Sequence, residues 1–157
     1  MVSLMDVPPQ PPVILVQVSK SGPTQEKLVA RAEADGWTAS QAEWIAKLGM
    51  SAADALPAGR TAADFEEVYK LGRKALTVAY FDNAMKEGKT RLVAFLTVID
   101  LEKQLAERRG APAPAYQDDW LKAAYVRLAE AANRNASSSE QLDIGFAVLR
   151  ELATAAK

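Results

Sequence analysis

Apolar residues recur three and four positions apart along most of this chain, the spacing that gives an α-helix one buried face. Leu28, Val29 and Ala32 form the first such stripe. Its helix is predicted to start near Pro23-Thr24 and to end before Gly36, a residue suited to the position after a helix terminus. Thr38-Ala39-Ser40-Gln41 has the form of a capping box, in which the threonine and glutamine satisfy each other's backbone N–H groups. The helix it opens carries Ala42, Trp44, Ile45 and Leu48 and is predicted to stop at Gly49. Ser51 then caps a short third helix over 51–56, closed by Pro57 and Gly59. A helix, a glycine turn and a second helix in this order have the grammar of a helix-turn-helix, and equally that of two short core helices joined by a glycine turn.

The pattern then lengthens. Thr61 is positioned to cap a helix over 62–87, with Phe65, Val68, Tyr69, Gly72, Leu76, Ala79 and Tyr80 on one face and Leu71, Ala75, Val78 and Met85 on another. Gly88 ends it. A second long helix over 90–109 carries Leu92, Val93, Phe95, Leu96, Val98, Ile99, Leu101 and Leu105. The short turn Glu87-Gly88-Lys89-Thr90 predicts antiparallel neighbours. After the linker Gly110-Ala111-Pro112-Ala113-Pro114-Ala115 come two more amphipathic helices, over about 117–134 and 139–155, separated by a polar turn.

Only 13–18, a β-branched run between prolines and Ser19, reads as extended. The predicted fold is therefore all-α. Residues 1–22 form an arm and 23–60 a helix-turn-helix DNA-binding domain. A helical hairpin for oligomerisation occupies 61–109, a linker 110–116, and a helical pair 117–157.

Composition narrows the chemistry. The chain has 157 residues, no histidine and no cysteine. Serine–histidine and cysteine–histidine nucleophile pairs are excluded within it, as are disulfides and thiolate metal sites. Gly88-Lys89-Thr90 has the last letters of a phosphate loop, but it lacks the earlier glycine and the preceding strand. Asp118-Asp119 sits where a first helical turn favours negative charge, and Glu66-Glu67 are adjacent, so they do not share a face. No catalytic residue, cofactor or metal site is expected. Net charge is −1, and no third of the chain carries a strong excess of either sign. DNA binding therefore rests on local cations multiplied by assembly. Lys20, Lys27, Arg31, Lys47 and Arg60 are the candidates for phosphates, with Ser51 at the cap. The predicted recognition helix itself has no Arg, Lys, Asn or Gln to read base edges. No run reaches the length of a membrane span, and the proline-broken start lacks the form of a signal peptide, so a cytoplasmic protein is expected.

Helices 62–87 and 90–109 are apolar on more than one face. The surplus asks for cover, by the carboxy-terminal helices on one side and by other copies of the chain on the other, with Phe65, Tyr69, Leu76, Tyr80, Phe81, Val93, Phe95 and Val98 as candidate interface residues.

The stretch 24–109, with its turn IAKLGMS, then FEEVYKLGRKAL, then the hairpin closing at EGKTRLVAFL, resembles the small terminase subunit of tailed phages. The resemblance implies a ring-forming, non-catalytic protein that recognises double-stranded viral DNA in the host cytoplasm and regulates the large terminase subunit, which holds the ATPase and nuclease. It does not account for 115–157, and the non-basic recognition helix departs from the family pattern. Two other functions fit the residues: a dimeric helix-turn-helix transcription regulator, and a helical adaptor or immunity-type protein that binds only protein.

Overall fold

The computed structural model describes residues 24–54 and 64–157, and every described element is a helix. In chain order these are α1 (Gln25–Ala34), α2 (Ala39–Asp54), α3 (Phe65–Lys86), α4 (Arg91–Arg108), α5 (Asp118–Asn133) and α6 (Ser138–Ala155). The expected extended segment 13–18, the caps and turn at Pro57, Gly59 and Thr61, and the cations Lys20 and Arg60 lie outside the described residues.

Helix ends form where local chemistry dictates. Thr24 accepts from the Lys27 N–H at the start of α1, and Gly36 takes the positive φ of 104° beyond its end. The Thr38/Gln41 box is reciprocal: Thr38 N–H donates to Gln41 Oε1 at 2.9 Å, and Gln41 N–H donates to Thr38 Oγ1 at 3.2 Å. Thr90 caps α4 by accepting from Val93 N–H, and Ser137 caps α6 by accepting from Glu140 N–H. α3 begins at Phe65 rather than 62, with Asp64 Oδ1 accepting from Glu66 N–H at 2.7 Å.

The expected break at Gly49 does not occur. α2 runs unbroken from Ala39 to Asp54, so no separate 51–56 helix begins at Ser51 and no helix-turn-helix turn lies within it. The physical reason is tertiary. A Cβ on Gly49 would lie 2.6 Å from the Val68 carbonyl oxygen, and a Cβ on Gly72 would meet the Ile45 carbonyl oxygen. The two glycines let α2 and the first half of α3 cross backbone to backbone. Gly49 keeps a helical backbone there, without the positive φ found at Gly36, Gly88 and Gly110.

The chain divides into two compact units, residues 1–76 and 77–157, and the division falls inside α3 rather than at 60/61 or in the proline-rich linker. In the first unit, Leu28 and Ala32 of α1, Ala42, Ile45 and Ala46 of α2, and Val68, Tyr69 and Leu76 of α3 are buried. In the second, Phe81 and Ala84 share one core with Ala94, Phe95, Val98 and Ile99 of α4, Ala124 and Leu128 of α5, and Leu142 and Leu149 of α6. The carboxy-terminal helices are thus not a separate pair beyond a hairpin. They complete the core that the end of α3 and α4 begin. Gly145 allows this: a Cβ there would stand 3.0 Å from the Phe95 ring, which makes an edge-on contact with Phe146 at 5.7 Å.

Candidate assembly and nucleic-acid surfaces

The residues expected to touch phosphates do not form one cationic surface. Arg31 lies half-buried in a polar knot where α1 meets α3. Its guanidinium binds Glu66 at 2.6 Å and Asp35 at 3.2 Å. The hydrogen bond to Glu66 is the chief reason that its charged form is further favoured, with both carboxylates adding to the effect. Tyr69 is buried beneath it and donates its hydroxyl proton to Asp35 at 2.6 Å. The guanidinium carbons of Arg31 and Arg73 stand 4.7 and 5.3 Å from the Tyr69 ring centroid. Burial, then the hydrogen bond to Asp35, pushes the phenol well above its ordinary 10. Two carboxylates engage the Nε and Nη1 of the arginine, and the knot joins helices within the unit. The aromatic partner Phe65 stacks on Tyr69 at 6.3 Å.

Lys27 is exposed on α1, and Lys47 is exposed on α2 with its ammonium 5.4 Å from the Trp44 ring centroid. Ser51 is exposed inside the continuous α2, so its hydroxyl caps no helix. Trp44, read from its spacing as part of an apolar first helix, is 53% exposed. Burying an indole is worth several times the cation–π contact that Lys47 supplies at an exposed site, about 0.5–1 kcal/mol. Its exposure is a surface feature that periodicity alone did not disclose.

The expected interface residues separate into two groups. Phe81, Phe95 and Val98 lie inside the second unit's own core, and Tyr69 and Leu76 are buried within the first. These five are not free to meet another copy, because their own chain already covers them. Phe65 and Tyr80 are half-buried. Val93 is 42% exposed. It stands beside two residues that the sequence reading left out of the interface, Leu92 and Leu96, each 38% exposed. The three occupy neighbouring positions on α4, at spacings of one, three and four residues, and face away from the buried Ala94, Phe95, Val98 and Ile99. The signal for them was present in the sequence as the surplus apolar face. Which side of α4 faced inward was not, because both sides are apolar.

The linker is held rather than loose. Tyr116 packs against the second core and donates its hydroxyl proton to Glu102 of α4 at 2.9 Å. Burial raises the Glu102 carboxyl above its ordinary 4.5, opposed by the Tyr116 hydrogen bond and by Arg109 and Arg150. Gln141, buried in α6, accepts from Arg91 Nε at 3.1 Å and donates to the Ala136 carbonyl at 2.9 Å. Each of these buried polar groups is satisfied. Among the described residues there is no cluster of acidic side chains arranged to hold a metal ion, and no helix is long and apolar enough to cross a membrane.

Compared with protein-family models, with curated proteins and with solved structures, the chain finds no match in any of the three.

Proposed function

We propose that this chain is a non-catalytic, self-assembling helical protein of the small-terminase kind, which meets duplex viral DNA through phosphate contacts and acts on the large terminase subunit by binding it. The observation that carries the assembly half of this reading is the exposed apolar row Leu92, Val93 and Leu96 on α4. It lies within the stretch FEEVYKLGRKAL to EGKTRLVAFL that carries the family resemblance. An apolar row rimmed by polar residues is what an association surface presents before its partner covers it. DNA contact, in this reading, is made by exposed cations such as Lys27 and Lys47, is weak per copy, and gains by avidity in the assembly.

Light scattering on the purified chain tests assembly: a closed oligomer of many copies is expected, and a monomer at micromolar concentration refutes it. Fluorescence anisotropy with duplex DNA at rising salt tests the rest. Binding that falls steeply with salt and shows no sequence preference is expected.

A second reading, a helical adaptor that binds only protein, is favoured by two observations: α2 has no recognition-helix break, and Arg31 is committed to Asp35 and Glu66. An assembling chain with no measurable affinity for DNA at low salt would select it.

A further inference from the structure

We infer that the outer face of α4 is self-complementary and takes the same face of a second copy in antiparallel orientation, about a two-fold axis passing beside Ala94 and Phe95. The inference rests on the assembly reading above and adds the partner and its direction for this one face; a two-fold contact closes as a pair, so a ring of many copies joins such pairs through a further surface.

The exposed residues along α4 include Leu92, Val93, Leu96, Asp100, Lys103 and Glu107. At about 100° per residue these six fall within a single sector of roughly 100°. The rest of the circumference, from about 200° to 340° past Leu92, holds Ala94, Phe95, Val98 and Ile99 in the core. The outer face is only partly covered by its own chain: Leu92, Val93 and Leu96 keep 38–42% of their surface exposed. Its amino-terminal half is apolar and its carboxy-terminal half is charged. Lys89, just before the capping Thr90, adds a positive charge at the amino-terminal end.

The order of these groups points to the occupant. When two copies of α4 lie antiparallel with the axis midway between Ala94 and Phe95, Val93 meets Leu96 of the second copy, and Leu96 meets its Val93. The same register brings Lys89, in the turn just ahead of the capping Thr90, to the end of the pair where Asp100 of the second copy lies, and Asp100 to the end where its Lys89 lies. Every favourable pair is thus made twice, as an isologous contact requires. In a parallel pair the same register sets Lys89 against Lys89 and Asp100 against Asp100, and like charges facing each other are unfavourable. A foreign partner places no demand on this symmetry. The present neighbours of the two charges do not block the exchange. Lys89 pairs with exposed Glu87 at 3.1 Å, and Asp100 accepts from Gln104 at 2.7 Å. Exposed surface pairs of this kind are weak.

The apolar row covers far less than the ~800 Å² per partner of a stable interface. This face therefore makes a weak, reversible pair, in which the Lys89–Asp100 contacts set direction more than affinity.

The absence of cysteine from the chain makes the test direct, since any introduced thiol is unique. Full-length Val93→Cys and Leu96→Cys variants are mixed and treated with a short thiol-reactive cross-linker. A Glu107→Cys variant is treated alone. The antiparallel pair joins the first two efficiently. It leaves Glu107 positions on two copies about 37 Å apart, at 1.5 Å per residue, and so unlinked. Efficient Glu107→Cys self-linking overturns the orientation. K89E alone or D100K alone is expected to weaken association about tenfold, and the K89E/D100K double variant to restore it. Failure of the double variant to recover removes the charge argument. All five positions are exposed, and far-UV circular dichroism checks that each variant remains helical. If light scattering finds a large assembly but Val93→Cys and Leu96→Cys do not link, this pairing is wrong and the assembly reading stands. If they link but the mass never exceeds a dimer, the pairing stands and the ring falls. A chain that stays monomeric at about 1 mM, far above the Kd of any functional contact, overturns both.

Discussion

Replacing Gly72 by alanine separates two accounts of the first unit by the sign of its effect. In an exposed helix interior, glycine to alanine stabilises by about 1 kcal/mol, because alanine loses less backbone freedom. Here the new methyl would strike the Ile45 carbonyl oxygen and stand 3.0 Å from the Gly49 nitrogen and from the Ile45 carbonyl carbon. All three are backbone atoms of α2, so no side chain can rotate away. Relief requires the two helices to part by about 1 Å, and a gap of that size forfeits a quarter to a half of the dispersion attraction across it. Ile45, Val68 and Tyr69 are buried in this unit, and each contributes about 1.5–3 kcal/mol by burial. Losing a quarter to a half of that across three side chains costs about 1–4.5 kcal/mol, a span that includes the range of measured overpacking. Subtracting the alanine gain leaves a net destabilisation of up to about 3.5 kcal/mol and no net gain. Urea titration followed by circular dichroism reads it as a lowered midpoint at unchanged slope. A variant more stable than wild type would refute the glycine-to-glycine crossing and with it the unbroken path of α2. Gly49→Ala is less informative, since a turn glycine and a crossing glycine both predict a loss.

Ser51→Ala is expected to change stability by less than about 0.5 kcal/mol, since its hydroxyl lies mid-helix, whereas Thr90→Ala removes a working cap and costs about 1 kcal/mol. Paired urea titrations check both, and a cap-sized loss at Ser51 would restore the short third helix. Tyr69→Phe removes one of the donors to Asp35, which keeps Arg31 at 3.2 Å, and is expected to cost about 1 kcal/mol. Because the folded phenol is raised above its ordinary 10, the folded state holds the extra proton, and wild-type stability falls as pH rises above 10. The phenylalanine variant loses the part of that slope due to Tyr69 and keeps the part due to Tyr116, whose phenol burial also raises, and thermal melts across the alkaline range read the difference. Glu102, raised by burial above 4.5, follows the same sign: its contribution is intact below 4.5 and is lost as pH rises through the folded value. Glu102→Gln keeps an acceptor for Tyr116 and removes the charge, so it should gain on wild type in melting temperature as pH rises above about 4.5; an unchanged pH slope would show that Glu102 is not the group responsible.

The parts of this fold that were legible in the sequence are the parts decided within one or two turns. Thr24, the Thr38/Gln41 box, Gly36, Gly88 and the acidic start of α5 are local, and the structure uses each as the spacing indicates. The all-helical class follows from the same periodicity. Gly49 was illegible because a glycine followed by an apolar residue and a serine writes a turn and a helix crossing in the same letters. The residue that decides between them, Gly72, belongs to a different helix. The faces of α4 were illegible for a related reason. Phe95 and Val98 carry the larger apolar signal and went inward, onto Gly145 and the α5 and α6 core, leaving Leu92, Val93 and Leu96 outside. Only the presence of α5 and α6 decides that choice, and nothing in α4 itself encodes it.

This division also shifts where a functional contact must be sought. A helix-turn-helix concentrates its chemistry on one recognition helix, whose side chains enter the major groove. With α2 unbroken, its exposed face is instead a line of Ser40, Trp44, Lys47, Ser51 and Asp54, one cation balanced by one carboxylate. Such a line has little net attraction for phosphates, and Arg31 is withdrawn into its own ion pairs. Affinity for DNA, where it exists, therefore depends on repetition, because a weak cationic contact multiplied over several copies gains through effective concentration what it lacks individually. The apolar row on α4 is the described surface best suited to bring those copies together. Disrupting it with Leu96→Asp should thus remove DNA binding and self-association together, although Leu96 itself touches no phosphate. Loss of assembly with undiminished DNA affinity would show that a single copy carries the whole nucleic-acid contact, and that the cations of the first unit act without the help of their neighbours.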